Sequence, residues 1–133
     1  MKIDLKVYNN FVLFTHSGSE TDEEGKVFFD QFKQISSETG IKKILVDIRK
    51  FRKKLSNMET YEYAVSLANT MRGFTIATVQ NEDLYDPKKF GENVAVNRGL
   101  NLRVFQTMEE AYDWLDVQSE MDQEPNPPDY SLN

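Results

Sequence analysis

The chain has 133 residues, a formal net charge of −6 and no cysteine. Its length suits one domain with a sizeable core, and its acidic balance argues against nucleic acid as the main partner, because phosphates repel a negative surface. Without cysteine there can be no disulfide framework, no thiolate nucleophile and no cysteine-based metal site.

The first predicted elements form a β-hairpin. Apolar and polar residues alternate over residues 3–7, which is typical of a half-exposed strand. An Asn-Asn pair at residues 9–10 indicates a turn, and residues 11–15 are predicted to form the second strand. Residues 16–20 are then expected to form a loop that contains His16, the single histidine of the chain.

Four helices follow, and three of them open with a capping box, in which serine or threonine precedes glutamate by three residues. An Asp-Pro pair predicts the start of the other helix, and a glycine is the expected end of each of the first three. The capping pairs are Thr21 with Glu24, Ser56 with Glu59 and Thr107 with Glu110, the Asp-Pro pair is Asp86 with Pro87, and the glycines are Gly40, Gly73 and Gly99. The predicted buried faces are Phe28, Phe32 and Ile35, then Tyr61, Ala64, Val65, Ala68 and Met71, then Phe90 and Val94, and finally Ala111, Trp114 and Leu115.

Three short apolar runs alternate with the helices and predict buried strands. They span residues 44–48, 74–79 and 102–105. Nearly continuous apolar strands are typical of a sheet covered by helices, and alternation of strands with helices implies parallel pairing. The sequence therefore predicts a single α/β domain with a mostly parallel central sheet of about five strands, an N-terminal antiparallel hairpin and four helices.

The regular patterns end near residue 117. Residues 118–133 are acidic, contain Pro125, Pro127 and Pro128, and have few apolar anchors. A segment of this composition buries too little apolar surface to offset the entropy of ordering it. We therefore expect the α/β domain to span residues 1–117 and residues 118–133 to form a disordered acidic tail.

The strongest functional feature is a run of cations at residues 49–54, hereafter the basic segment. It leads from the third predicted strand to the N-terminus of the second helix, where free amides and the helix dipole also attract anions. We expect a phosphate, an anionic headgroup or an acidic protein surface to be bound by Arg49, Lys50, Phe51, Arg52, Lys53, Lys54 and the cap Ser56. Two other interpretations stay open, namely a solvated loop, or pairing with the acidic residues Glu120, Asp122, Glu124 and Asp129 of the tail.

Three other residues have structural explanations that compete with functional ones. Ser56 is explained as a helix cap, although phosphorylation there would add charge at a favourable helix end. Asp47 interrupts an apolar strand, and we expect its carboxylate to bond loop amides or nearby arginines. His16 is expected in a turn or facing a partner, because a lone histidine cannot form a multi-histidine metal site.

The sequence contains no pattern typical of a catalytic, cofactor or metal site. Its carboxylates concentrate in first helical turns, where they complement the helix dipole. The glycines form neither a phosphate-binding loop nor a dinucleotide-binding pattern, and no acidic run has the spacing of a calcium loop. We therefore expect a protein that is not an enzyme and that uses no cofactor or metal.

Four parts of the chain, within about residues 1–116, together carry a family resemblance. They are the two opening strands, Gly18 followed by T-D-E-E at residues 21–24, the strand at residues 44–48, and the run G-x-x-x-x-V-F-x-x-x-E-E-A-x-x-W-L from Gly99 to Leu115. These parts resemble the STAS-like bacterial domains, relatives of the anti-sigma-factor antagonists that share a fold with the lipid-binding CRAL-TRIO domains. The resemblance implies a non-enzymatic interaction domain.

The chain departs from this family after the central strand. The antagonists carry a phosphorylatable serine there, in an Asp-Ser-Ser-Gly-like turn. Residues 49–57 replace that turn with a longer and more basic stretch, in which Ser56 stands near the matching place. The sequence therefore favours a binding surface over a phosphoswitch.

The leading hypothesis is a non-catalytic, cytoplasmic STAS-like regulatory domain that binds a protein with an acidic surface, with Phe51 and Leu55 burying apolar area at the centre of the contact. Anionic lipid is another candidate partner of the basic segment. The alternative function is a pocket for a small apolar ligand or lipid, as the CRAL-TRIO resemblance implies. A homodimer through Tyr63, Tyr85 and the hairpin edge is also open. The cytoplasm is expected because no signal-peptide pattern or membrane-spanning run is present.

Overall fold

The computed structural model describes residues 2–18, 22–51, 54–120 and 123–125, without the side chains of residues 2, 3, 18 and 22–26. These residues form five strands, four α-helices and a closing 3₁₀ helix. In chain order the elements are β1 (Lys2–Val7), β2 (Val12–Gly18), α1 (Asp22–Thr39), β3 (Lys43–Phe51), α2 (Asn57–Thr70), β4 (Thr75–Gln80), α3 (Phe90–Asn97), β5 (Asn101–Phe105), α4 (Met108–Leu115) and the 3₁₀ helix Gln118–Glu120.

The strands lie in the sheet in the same order as in the chain, β1-β2-β3-β4-β5. The first pair is antiparallel and the other three pairs are parallel. This confirms the predicted α/β fold with its opening hairpin. Because every strand neighbours the next one in sequence, the described sheet has no point at which the strand order reverses, which is where open α/β sheets often bind ligands.

Helices cover the two faces of the sheet unequally. Helices α1, α2 and α3 pack on one face, where Phe28, Phe32 and Ile35 are buried as predicted. Helix α4 packs on the other face through Ala111 and Leu115, mainly against β4 and β5. Two predicted core positions are wrong, since Tyr61 is 40% exposed and Phe90 is 37% exposed. Tyr61 instead accepts a hydrogen bond from Arg98 on its hydroxyl, at the outer side of the contact between α2 and α3.

The helix caps follow the sequence closely at α2 and less closely elsewhere. Ser56 Oγ accepts from the Glu59 amide at 3.1 Å, and Glu59 Oε1 accepts from the Ser56 amide at 3.0 Å, which completes the predicted box. At α4, Thr107 Oγ1 accepts from the Glu110 amide at 3.3 Å, but the Glu110 carboxylate accepts from the Thr107 hydroxyl rather than from its amide. The predicted box of Thr21 and Glu24 lies outside the described side chains.

Helix α3 begins later than predicted. It starts at Phe90 rather than at the Asp86-Pro87 pair. Asp86 Oδ1 accepts from the Lys88 amide at 2.9 Å, which closes a turn of the kind that aspartate favours, and Lys89 then adopts a left-handed φ of 54°. Asp86 Oδ2 still accepts from the Phe90 amide at 3.0 Å, so its carboxylate contacts the helix start from outside the helix.

Strands β2 and β3 are both longer than predicted. Residues 16–18 continue β2 instead of forming a loop, and residues 49–51 continue β3. The two extensions pair with each other, Ser17 with Lys50 and Gly18 with Phe51, so each strand supplies the hydrogen-bonding partner that prolongs the other. His16 is consequently a buried strand residue, 8% exposed, rather than a turn residue.

The folded domain extends past the predicted boundary at residue 117. Residues 118–120 form the 3₁₀ helix, and Glu120 is only 3% exposed. Most of the predicted tail, including residues 126–133, lies outside the described residues, so its disorder stays a prediction. None of the helices in the described part of the chain is long and apolar enough to cross a membrane.

Candidate functional site

The carboxyl end of β3 is organised by an ion pair between Asp47 and Arg49. Asp47 Oδ1 accepts from Arg49 Nε at 2.9 Å, and Asp47 Oδ2 accepts from Arg49 Nη2 at 3.0 Å. The same Oδ1 also accepts from the Arg49 backbone amide at 3.1 Å. This confirms the expectation that the carboxylate in the apolar strand is satisfied by a neighbouring arginine and a backbone amide.

The two partners of this pair differ in their exposure to solvent. The Asp47 side chain is 11% exposed, whereas that of Arg49 is 48% exposed. The hydrogen bond to Asp47 raises the pKa of Arg49, a direction that its charge interactions with Asp47 and Tyr112 share and that partial burial opposes. Arg49 is therefore a charged group whose guanidinium is held by Asp47 and whose side chain is about half open to solvent.

A β-bulge next to this pair brings consecutive side chains to one side of the sheet. Along β2 the pairing advances from Thr15 to Ser17, while along β3 it advances from Asp47 to Lys50, so β3 contains one extra residue. Such a bulge breaks the alternation of side chains between the two faces and re-aims the residues that follow. Arg49 and Lys50 consequently line the same cleft.

The cleft lies where the bulge meets β2. It has a volume of about 310 Å³ and is lined by Thr15, Asp47, Arg49 and Lys50. Thr15 reaches it because its backbone pairs with Asp47 in the neighbouring strand. Within the described part of the chain, Lys50 is exposed and makes no ion pair. The site therefore presents a guanidinium, an ammonium and a hydroxyl group above one buried carboxylate.

The structure divides the predicted basic segment into parts with different environments. Arg49, Lys50 and Phe51 belong to β3, and Lys54 is exposed in the connection to α2, while Arg52 and Lys53 lie outside the described residues. Ser56 caps α2 with a hydroxyl that accepts a backbone hydrogen bond. The first three residues of the basic segment are therefore strand residues, whereas the sequence predicted that the third strand ends at residue 48.

Phe51 is less available than the sequence suggested. Its ring packs against His16 with a centroid distance of 5.1 Å, and His16 packs against Phe14 at 5.7 Å. Phe14 belongs to the core between the sheet and α1 to α3, so the Phe51 ring is linked to the edge of that core through His16. Leu55 is likewise half-buried.

Two polar residues lie in the connection between β4 and α3, and one of them, Asn81, bonds the end of β3. Asn81, just after β4, donates from Nδ2 to the carbonyl oxygens of Arg49 at 2.9 Å and Phe51 at 3.3 Å. Asp86 has a lowered pKa, first because the amides of Phe90 and Lys88 donate to its carboxylate, and further because the charges of Lys88 and Lys54 are close. Arg49, Phe51 and Lys54 therefore lie beside the connection that precedes α3.

The opposite, amino-terminal end of the sheet is closed by Glu120. Its Oε1 accepts from the amides of Asn9 at 2.9 Å and Asn10 at 3.2 Å, and its Oε2 accepts from Asn10 Nδ2 at 2.8 Å. Asn10 and Ser17, which pairs with Lys50, are seven residues apart, about 23 Å along an extended chain. The expectation that Glu120 pairs with the basic segment is therefore wrong.

Sequence reasoning missed three residues that organise these two ends. Glu120 was assigned to the tail, Thr15 became part of the cleft only through the parallel register, and Asn81 lies in a connection without any regular pattern. The local signals of the site were the polar residue Asp47 inside an apolar run and the cations that follow it. Among residues 2–18, 22–51, 54–120 and 123–125, no group of three or more histidine or carboxylate side chains is placed to hold a metal ion.

No protein-family model matches this chain, and a search of curated proteins finds no match either. The structure defines the chain as an α/β domain with a mixed five-stranded sheet. The STAS-like resemblance stays a prediction.

Proposed function

We propose that this protein is a non-catalytic interaction domain of STAS-like type, and that it binds an acidic surface of a partner protein at the carboxyl end of β3. The observation that supports this most is the exposure of charge there. Arg49, Lys50 and Lys54 are all exposed at one end of the sheet of a chain whose net charge is −6. A local cationic surface on an acidic protein attracts acidic partners and repels most others.

The architecture around these cations also favours binding. Helix α2 starts within a few residues of Lys54, so its N-terminal dipole adds to the positive potential. Asn81 and the Asp47 carboxylate fix the backbone and the Arg49 side chain, which lowers the ordering entropy that binding costs. A fixed cationic surface fits a recognition role better than a merely solvated loop does.

The alternative function, a pocket for an apolar ligand or lipid, gains no support from the described cleft. Its lining consists of a threonine, an aspartate, an arginine and a lysine, with no aliphatic or aromatic residue among them. Ligand pockets for apolar molecules are lined mainly by hydrophobic and aromatic side chains. Anionic lipid could bind the same cationic surface, and vesicle binding distinguishes it from an acidic protein.

The proposal is tested by reversing two charges at this end of the sheet. A variant with Lys50→Glu and Lys54→Glu is compared with the native protein for binding to a fluorescein-labelled peptide of alternating glutamate and leucine, measured by fluorescence anisotropy at low and physiological salt. We expect the affinity to fall by about tenfold or more at low salt, and the difference to shrink as salt is added.

A matched control changes the same net charge elsewhere. Lys42→Glu together with Arg103→Glu reverses two exposed cations, one before β3 at the amino-terminal end of the sheet and one on the edge strand β5. Its affinity for the peptide should stay within about twofold of native. Equal losses in both variants would show attraction by overall charge and contradict the proposal. Binding to phosphatidylserine vesicles that depends on Lys50 and Lys54, without binding to the peptide, would replace the protein partner by a membrane.

A further inference from the structure

The cleft beside the bulge has the donor set of an oxyanion site. Three side chains that can donate hydrogen bonds line it together, the Arg49 guanidinium, the Lys50 ammonium and the Thr15 hydroxyl. They come from two neighbouring strands, and the extra residue in β3 is what allows Arg49 and Lys50, which are consecutive, to line the same cleft. Donors from rigid strands hold a ligand more firmly than donors from a loop.

Asp47 gives Arg49 a fixed orientation without using all of its donors. A guanidinium has five N–H groups, and the Asp47 carboxylate accepts from Nε and from Nη2. Three N–H groups are left for another acceptor, and the arginine side chain is 48% exposed. A planar fork held in this way suits the oxygen atoms of a carboxylate or a phosphate.

The charges of the cleft also favour an anion. Its lining contains two cations, Arg49 and Lys50, and one carboxylate, Asp47, whose charge the arginine already balances. Lys50 makes no ion pair within the described part of the chain, so its charge is available to a ligand. The volume of about 310 Å³ is at the small end of ligand sites and has ample room for a carboxylate or phosphate group.

We infer that this cleft binds one anionic oxygen group, a carboxylate or a phosphate, through Arg49, Lys50 and Thr15, with Asp47 as the residue that positions Arg49. The inference rests on the proposed function, because it identifies the cleft as the point at which the acidic partner is anchored. Lys54, which is exposed and does not line the cleft, then steers the partner towards it.

The inference is tested with inorganic phosphate and with acetate as separate probes, followed by amide chemical shifts in nuclear magnetic resonance titrations at constant ionic strength. We expect saturable shifts at Thr15 and at residues 47–50 with at least one of the probes. Lys50→Ala and Arg49→Lys should each weaken that binding by about tenfold, since the first removes a charge and the second removes the planar fork. The probe that binds more tightly identifies the source of the anionic group.

A matched control separates the cleft from the general positive potential. Lys54→Ala removes an exposed cation of the same segment that does not line the cleft, so phosphate or acetate affinity should change by less than about twofold. Shifts that never saturate, or equal losses in Lys50→Ala and Lys54→Ala, would mean diffuse attraction and would overturn the inference.

The role of Asp47 is tested with Asp47→Asn, because its two possible roles predict opposite changes in anion affinity. Asp47→Asn makes the cleft more positive, which would strengthen anion binding if the carboxylate only offsets charge. If Asp47 positions Arg49, the same variant should bind the anion several-fold more weakly in spite of the added positive charge. A thermal unfolding curve with a single transition confirms that the variant is folded, and tighter binding would contradict the positioning role.

The experiments also separate this inference from the proposed function. If the acidic peptide binds and depends on Lys50 and Lys54 while neither small anion saturates the cleft, the proposed function stands and the inference falls. If phosphate or acetate saturates the cleft while the peptide does not bind, the cleft is an anion site and the protein-binding function falls.

Discussion

The two ends of the sheet each bury one carboxylate, and the partners of these carboxylates differ. At the amino-terminal end, Glu120 is 3% exposed and accepts hydrogen bonds from two backbone amides and an asparagine, all of them uncharged. At the carboxyl end, Asp47 is 8% exposed and accepts from Arg49, a charged group that is itself half exposed. The hydrogen bonds of Glu120 join it to uncharged groups of the hairpin turn, whereas Asp47 is bonded to a cation that reaches the surface.

This difference separates a stabilising contact from a binding one. The donors that Glu120 satisfies belong to the hairpin turn and have no further function once they are paired. The arginine that Asp47 holds keeps free N–H groups beside a cleft. Changes at the amino-terminal end should therefore lower stability and leave anion binding intact, whereas changes to the cleft residues Thr15, Arg49 and Lys50 should mainly weaken anion binding.

The largest effect is expected from Phe11→Ala at the amino-terminal end. Phe11 is fully buried, stacks on Tyr8 at 4.5 Å and meets Tyr112 edge-on at 5.6 Å. Its truncation should lower the free energy of unfolding by about 3–5 kcal/mol, measured by urea denaturation. Phe90→Ala, a partly exposed phenylalanine at the start of α3, is the matched control and should cost clearly less. Equal costs would mean that the amino-terminal end is not the more tightly packed one.

A smaller loss of stability is expected from Glu120→Ala. The substitution leaves the amides of Asn9 and Asn10 without their acceptor, and unfolding free energy should fall by about 2–3 kcal/mol. Glu124→Ala, at an exposed glutamate four residues further on, should change it by less than about 0.5 kcal/mol. Phosphate or acetate affinity should be native in both variants. A weaker anion affinity in Glu120→Ala alone would show that the two ends of the sheet are coupled.

The smallest effect is expected from Ser56→Ala at the carboxyl end. It removes the hydroxyl that accepts from the Glu59 amide and should lower the unfolding free energy by about 1 kcal/mol. Ser66→Ala, at an exposed position in the middle of the same helix, should be neutral or slightly stabilising because alanine is the better helix former. A loss of peptide binding in Ser56→Ala that exceeds the loss in stability would give Ser56 a direct contact with the partner.

The features that the sequence predicted correctly depend on short stretches of chain. The capping box of Ser56, the glycines that end the helices with a positive φ and the buried face of α1 all reflect contacts within a few residues. Together with the alternation of strands and helices, such local signals are sufficient for the fold. The run of cations that follows the third strand is a local signal of the same kind, and it placed the functional hypothesis after β3.

The features that the sequence did not predict depend on pairing between distant segments. The extension of β2 through His16 and the bulge in β3 arise from each other, and neither strand alone contains a signal for them. Glu120 looked like one more acidic residue of a polar tail, because its partners lie 110 and 111 residues away. Phe51 was expected to be exposed because its neighbours in sequence are cations, but its ring packs against His16.

The order of the strands bears on how the chain folds. Because each strand pairs with its neighbour in sequence, the sheet can grow one strand at a time from the hairpin, and each parallel step closes a single crossover that contains one helix. The contact of Glu120 with the hairpin turn requires almost the whole chain and can form only after the last helix is in place. We therefore expect Glu120→Ala to accelerate unfolding while leaving the folding rate nearly native, as stopped-flow kinetics would show. The contact of Glu120 with the hairpin turn then slows the unfolding of a structure that has already folded.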